Sequence, residues 1–447
     1  MTKFAISARF ACTVTLALLT SAAPVLPWTA LAAEWQVSEV KPTLQTPVLT
    51  EEDADADADD PAIYVDAAID KSFVVGAVKN GGIRVYDFGG QLLQTILPIE
   101  DSRINNVDII YDFEMSDGSL ADLALGADRG LDIVRIYRID SSAAEPLTEI
   151  TAADAARAFP KRPTADGAAE EENPVDDQAT VYGLTAWHDK DAKKGWVVGT
   201  QRHQPVVGVF SLEAREDGTV AAVFDHDFRV PTSHKDQDLW QESEEDALAD
   251  FSPQFEGVVI DHTTGILYAG QEDVGIWRVP VAGGEPELAY ETRGASSSSF
   301  FNQDSVVTRD VEGLSIYYAS TGTHYLLASS QGSAHGGPPL ASDAPYDDSF
   351  VVFDLGVDEL KPLGSFRVVA SEGVDAVQES DGDDVSSVAL PGFPNGVFIT
   401  QDGYAGDLNG LDGETAATNF KFVDWSAIAA TFDPPLEVTA SGWSPRQ

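Results

Sequence analysis

The chain has 447 residues, 43% of them hydrophobic, and carries 74 acids against 27 bases for a net charge of −47. That length suits one large domain or two to three ordinary ones, and that charge repels nucleic acid and anionic membranes, so neither is expected as a partner. The single cysteine, Cys12, lies in the leader described next, which leaves the mature chain no disulfide, no thiolate nucleophile and no Cys-ligated zinc.

Residues 1–32 read as a signal peptide. Lys3 and Arg9 give the positive start, "FACTVTLALL" the apolar stretch, and "ALA" at 30–32 the small residues for cleavage. The apolar run is too short to span a bilayer, so export to the periplasm or the medium is expected, with loss of Lys3 and Arg9 moving the net charge to −49. An exported chain without disulfides needs a large core or bound ions to stay folded. Residues 33–50 form an N-terminal lead-in that can pair with the last structural unit, and "EEDADADADD" follows. Asp53, Asp55 and Asp57 are read there as solvated, Asp59 and Asp60 as part of a site.

From residue 59 onward the pattern is β-branched and aromatic, broken by Gly, Asp and Asn, with few helix-period segments. A first strand starts in "DDPAIYV" (59–65), "NNVDIIYDF" (105–113), "TVYGLTAWH" (180–188), "QFEGVVID" (254–261), "DVEGLSIYY" (310–318) and "DDVSSVALPG" (383–392). Each is followed by a second strand that ends in small and then polar residues, namely 73–79, 123–129, 196–202, 267–273, 325–332 and 397–403. Third strands are clearest at 81–88, 131–139, 274–281 and 349–355. Six such sets at spacings of roughly 50–75 residues predict an all-β, six-bladed β-propeller, with 51–447 as a single domain and a monomer expected. The polar stretches 161–177, 231–252 and 332–348 are expected as loops.

In a propeller the inner strands run beside a central channel, and equivalent positions form a ring at its mouth. The first-strand junctions bring Asp59, Asp60, Asn106, Asp108, Tyr182, Glu256, Asp310, Glu312, Asp381 and Asp384. The ends of the second strands add Lys79, Arg129, Arg202, Glu272, Asp273, Gln331 and Asp402. So many carboxylates in one cleft require compensating cations, and ligation by oxygen alone favours several Ca²⁺ ions over zinc or copper. Lys79, Arg129 and Arg202 at equivalent ends of three successive blades predict an anion site facing that metal cluster, an arrangement suited to phosphoryl transfer. The chain has no Arg-His-Gly-x-Arg, Gly-x-Ser-x-Gly or Walker motif, and its histidines lack zinc-binding spacing.

Taken in order, "DADDPAIY", "NNVDIIYDF", "VYGLTAWH", "QFEGVVID", "LYAGQEDVGIWR", "TRDVEGLSIYY", "YLLASSQG" and "NFKFVDW" resemble the β-propeller phytases, the calcium-dependent alkaline phytase family, over residues 55–430. The resemblance implies a phosphoric monoester hydrolase of the 3-phytase type. It implies as substrate myo-inositol hexakisphosphate (phytate), taken as its calcium complex, and a cleavage subsite beside a second phosphate-affinity subsite. It implies that Asp59, Asp60, Tyr182, Glu256, Glu272, Asp310, Glu312 and Asp381 hold metal, and that Lys79, Arg129, Arg202, Asn106 and Gln331 contact phosphate. The catalytic set it implies is Glu256, Asp310, Glu312, Tyr182, Lys79 and Arg129. The chain departs from the family pattern at Asn80, where a second lysine is usual, at "QRH" after the third-blade strand, at Gln271 for a glutamate, and at Asp383 for an apolar residue. Two other functions fit the same fold: a calcium-dependent lactonase or esterase, which needs no basic blade ends, and a non-catalytic calcium-stabilised binding propeller.

Overall fold

The computed structural model describes residues 35–446, apart from 51, 165–167, 232, 236, 239–253, 295–300, 320–321, 333–342, 357–358, 406–416 and 439–442. The expected signal peptide therefore lies outside the described residues, as do 239–252 and 333–342 in two of the expected loops. Among the described residues no helix is long and apolar enough to cross a membrane.

Six antiparallel sheets follow one another along the chain as the blades of a propeller. Blade one is built from Pro61–Tyr64, Phe73–Ala77, Ile83–Tyr86 and Leu92–Ile96, and blade two from Ile104–Glu114, Leu120–Asp128, Ile133–Ile139 and Leu147–Glu149. Blade three takes Val181–Asp189, Lys194–Gln201, Val206–Ala214 and Val220–Arg229, and blade four Phe255–Asp261, Ile266–Gln271, Gly275–Pro280 and Glu287–Glu291. In blade five Leu314–Tyr318, His324–Ser330, Ser349–Asp354 and Lys361–Val368 gain a fifth, parallel strand, Val37–Val40. Blade six has three strands of its own, Asp383–Ser386, Val397–Asp402 and Asn419–Asp424, and takes its outer one, Leu44–Gln45, from the N-terminal segment. The expected loop at 161–177 contains a short hairpin, Lys161–Pro163 with Glu170–Glu172.

Inner and second strands are buried on both faces, which is why they read as nearly continuous Val, Ile, Leu and Ala runs. Their side chains pack between blades. Val75, Val85 and Ile109 meet in the layer between blades one and two, Leu123, Val197 and Phe210 in that between two and three, and Phe350, Phe366 and Phe398 in that between five and six. The innermost strand of each blade has a free edge facing the channel, and unpaired N–H groups there must be satisfied. Aspartates of neighbouring blades do this. Asp60 accepts from Val107 N (3.0 Å), Asp108 from Ala186 N (2.7 Å), and Asp384 from Ile63 N (2.7 Å).

The end of the channel lined by Tyr111, His262 and Tyr318 is closed by the C-terminal segment. Trp443 stacks on Tyr318 at 4.0 Å, and Arg446 reaches Asp122 and Val65 O and lies 4.8 Å from the Tyr111 ring. Lys190 of blade three donates to the carbonyl of Arg446.

Ring closure also places one lysine in the interior. Lys421 has a side chain with 0% exposure, and its Nζ lies 2.7 Å from both Asp402 and Asp375 and donates to Gln45 Oε1 (2.7 Å) on the N-terminal strand. Burial raises Asp402 to about 6 despite that neighbour. Lys421→Met should thus leave two carboxylates uncompensated and destabilise the fold by about 3–5 kcal/mol. The double change Lys421→Met with Asp402→Asn should recover part of the loss. Urea unfolding of the three proteins checks this.

Candidate metal and phosphate site

Three of the inner strands begin with a β-bulge, and each bulge delivers a site residue. The register slips between Ile104 and Val107, between Val181 and Leu184, and between Phe255 and Val258. The slipped residues include Asn105 and Asn106, Tyr182, and Glu256. A bulge turns a strand's side chains out of strict alternation, so these groups can point into the mouth while the rest of each strand stays in the core. In blade five the strand starts at Leu314, later than the expected 310, because Asp310 takes a left-handed φ of 65°. That bend carries Asp310 and Glu312 into the site ahead of the strand.

Glycine follows several of these residues for reasons of space. A Cβ on Gly183 would overlap the carbonyl oxygen of Glu256, and one on Gly257 would stand 2.7 Å from that of Glu312. A Cβ on Gly313 would run into Asp383, and one on Gly382 into Asp60. At four of the six junctions, a site residue is thus set against the next blade through a glycine that admits no side chain.

Glu256, Glu272 and Glu312 each place a carboxylate oxygen within 4.8 Å of the others. Asp310 is buried beside them and its amide donates to Glu272 O at 2.8 Å. Burial, and then the neighbouring carboxylates, push Glu272, Asp310 and Glu312 well above the usual carboxylate range. Both oxygens of Glu272, Oε2 of Glu256 and Oδ2 of Asp310 are buried and accept no hydrogen bond from the described residues. Hard oxygen donors, buried, mutually repelling and unsatisfied, fit a divalent cation such as calcium.

On the other side of the mouth Lys79 Nζ meets Asp57 (3.0 Å), Asp59 (3.2 Å) and Asp381 (3.0 Å). Asp57 therefore belongs to the site and is not the solvated lead-in residue expected from sequence. Asp55 accepts from Asn80, and Asp53 stands 3.6 Å from buried Arg84, so these two also have partners. Burial raises Asp59 above the usual range against the pull of Lys79, and brings Asp381 to about 6. Gln331 donates to Asp381 Oδ1 at 3.2 Å. Asp60 bonds Val107 N and, with Asn106, lines the channel cavity together with Asp108, Asp383 and Asp384.

Between the two sides stands Tyr182, with Arg129 and Arg202 over its ring at 5.4 and 5.6 Å. Burial, then the charges of Glu256, Glu312 and Glu272, hold its hydroxyl protonated. Two groups escaped the sequence reading. Asn105 donates to Glu256 Oε1 (2.9 Å), Asp59 Oδ1 (3.1 Å) and Asn106 Oδ1 (3.0 Å), tying both sides together. Arg103 donates to Asn80 Oδ1 at 2.9 Å and is held below the ordinary guanidinium range by burial and then by the charge of Arg129. The doubled Asn of "NNVD" was the available signal for the first; nothing in the sequence distinguished Arg103 from any other strand-preceding base.

A family model described as Phytase matches residues 7–156 and 247–447. A curated relative, the 3-phytase of Bacillus subtilis (strain 168), is 29% identical over 390 residues, 86% of this chain and 82% of that protein. Among solved structures, the β-propeller domain of Cps50 (Swd1) from Myceliophteria thermophila shares 7% identity at a TM-score of 0.39, covering 80% of this chain and 82% of that one.

The glycine contacts give a direct test. Gly183→Ala should overpack the junction, costing about 1–3 kcal/mol, and should push the Glu256 main chain out of place. Thermal melting and phosphate release from phytate are both expected to fall.

Proposed function

The chain belongs to the phytase family and is a phosphoric monoester hydrolase that acts on phytate; we propose that it does so at the channel mouth, with calcium held by the buried carboxylates. The observation that carries this reading is the facing of two groups: the carboxylate cluster of Glu256, Glu272, Glu312 and Asp310, with unsatisfied oxygens on all but Glu312, and the cations Lys79, Arg129 and Arg202, the two arginines over the Tyr182 ring. A lactonase or a plain binding propeller needs no such cations.

Glu256, Glu272, Glu312 and Asp310, with Asp59 and Asp381 beside Lys79 and Asp60 in the channel, are the proposed calcium ligands, and Tyr182 stands next to them as a neutral oxygen. Bound there, calcium supplies positive charge beside the phosphoryl oxygens and lowers the pKa of water. Arg129 binds phosphoryl oxygens through its guanidinium fork, and Lys79 does so by exchanging one of its three carboxylates for phosphate. Tyr182 remains a neutral donor whose ring holds Arg129 and Arg202. Gln331 orients Asp381, and Asn106 accepts from Asn105, the amide that holds Glu256 and Asp59. The nucleophile is water, and no covalent phospho-enzyme is formed.

Chelation should both abolish phytate hydrolysis and lower the melting temperature, because ligands bound only by the native state stabilise it by mass action. The two readouts are phosphate release and melting, each with EDTA and with added calcium; full activity and an unchanged midpoint in EDTA would remove calcium from this account.

Glu256→Gln and Asp310→Asn keep size and remove one charge each. Both are expected to lose turnover by roughly a hundredfold or more while the propeller stays folded by circular dichroism. Near-normal turnover of both at saturating calcium would place the chemistry elsewhere.

A further inference from the structure

Arg103 stands immediately before the first strand of blade two, and its main chain is fixed at both ends. Its amide donates to Asp128 Oδ1 at 3.0 Å, and its carbonyl accepts from Arg129 N at 2.9 Å. The two arginines therefore leave the backbone side by side. In a chain of 74 acids and 27 bases, an arginine in such a place should find a carboxylate. Others nearby do: Arg135, in the same blade, binds Asp128 at 2.9 Å and Glu149 at 3.1 Å. Among the described residues no ion pair within 4.0 Å forms at Arg103 or at Arg129. The acids closest to them in charge, Asp57 and Asp59, are both taken up by Lys79.

What holds the Arg103 guanidinium instead is neutral. Nη1 donates to the side-chain oxygen of Asn80, and Nε is buried without a partner. An amide orients a guanidinium without cancelling its charge, so two cations are kept adjacent and partly desolvated. That arrangement costs free energy until an anion lies between them, and the paired forks of two guanidinium groups match the oxygens of a phosphoryl group.

We propose that Arg103 is a substrate-phosphate ligand, gripping one phosphoryl group of the ester together with Arg129 and supplying the positive charge that Asn80 does not. This rests on the phosphate-ester reading above. It adds a residue that the sequence comparison left unassigned, and it gives Asn80 a role as the group that aims Arg103.

The test compares wild type with Arg103→Ala, Arg103→Gln, Arg103→Lys and the double change Asn80→Lys with Arg103→Ala. Each is assayed on phytate with calcium for kcat and KM, with inorganic phosphate as the competing probe, and each is melted. Arg103→Ala and Arg103→Gln should raise KM for phytate and the inhibition constant of phosphate by about tenfold or more, with little change in melting. Arg103→Lys, which keeps the charge and loses the fork, should fall between, and a lysine at position 80 should restore much of the loss. If both neutral variants keep wild-type KM and phosphate inhibition, or lose activity only in step with melting, Arg103 is structural and the proposal fails. Wild-type hydrolysis of phytate in the same assay keeps that failure separate from failure of the phytase reading itself.

Discussion

The site depends on backbone meeting backbone at the channel mouth. Gly183 lies against the carbonyl of Glu256, Gly257 against that of Glu312, Gly313 against Asp383 and Gly382 against Asp60. Because none of these glycines carries a Cβ, neighbouring inner strands close to a distance at which a carboxylate from one blade caps the free edge of the next, as Asp384 does for Ile63. The same closeness crowds Glu256, Glu272 and Glu312 together. Packing between strands sets the distance, and the distance creates the electrostatic problem that cations solve. The acid cluster is a consequence of how tightly the ring is drawn.

Charge then divides the mouth into unlike halves. On one side the carboxylates outnumber their donors and keep unsatisfied oxygens out of water. On the other, Lys79 is saturated by three aspartates, while Arg103 and Arg129 form no ion pair among the described residues. Tyr182 and Asn105 stand between, one with an aromatic face toward the arginines, the other with an amide bridging Asp59 and Glu256. Phosphate is an anion that brings oxygens to metal and guanidinium alike, so a single group can relieve both halves at once.

Most of the fold could be read along the chain because buried strands announce themselves: "FVVGA", "LALGA" and "WVVGT" are inner-sheet sequences with few other uses. Much of the site was legible for a related reason, since Glu256 and Glu312 of the main cluster, and Asp381 beside Lys79, each precede a glycine at an equivalent blade position. What the sequence hid were partnerships set by bulges and by long-range approach. Alternation favours one Asn of "NNVD" facing the mouth, yet the bulge uses both. Asp57 resembles its neighbours Asp53 and Asp55 in composition, and only the position of Lys79 sets it apart. One long-range pairing was legible: the lead-in expected to join the last blade does so, Leu44–Gln45 lying on Asn419–Asp424.

That last pairing has a consequence in time. Within blades one to four, consecutive strands follow one another closely along the chain, so each blade can form as soon as it exists. The ring cannot, because Lys421 finds Gln45 across 376 residues of sequence, and contacts of such separation form late. Until Asn419–Asp424 arrives, Val74 and Tyr86 of blade one lack Phe420 and Phe422, the partners that cover them in the closed molecule. A chain stopped short of blade six is therefore an open arc with two apolar ends, exposed to other arcs of the same kind. The interval between completing blade five and docking the N-terminal strand is when this protein is most open to self-association, and it ends in one event that closes the last seam.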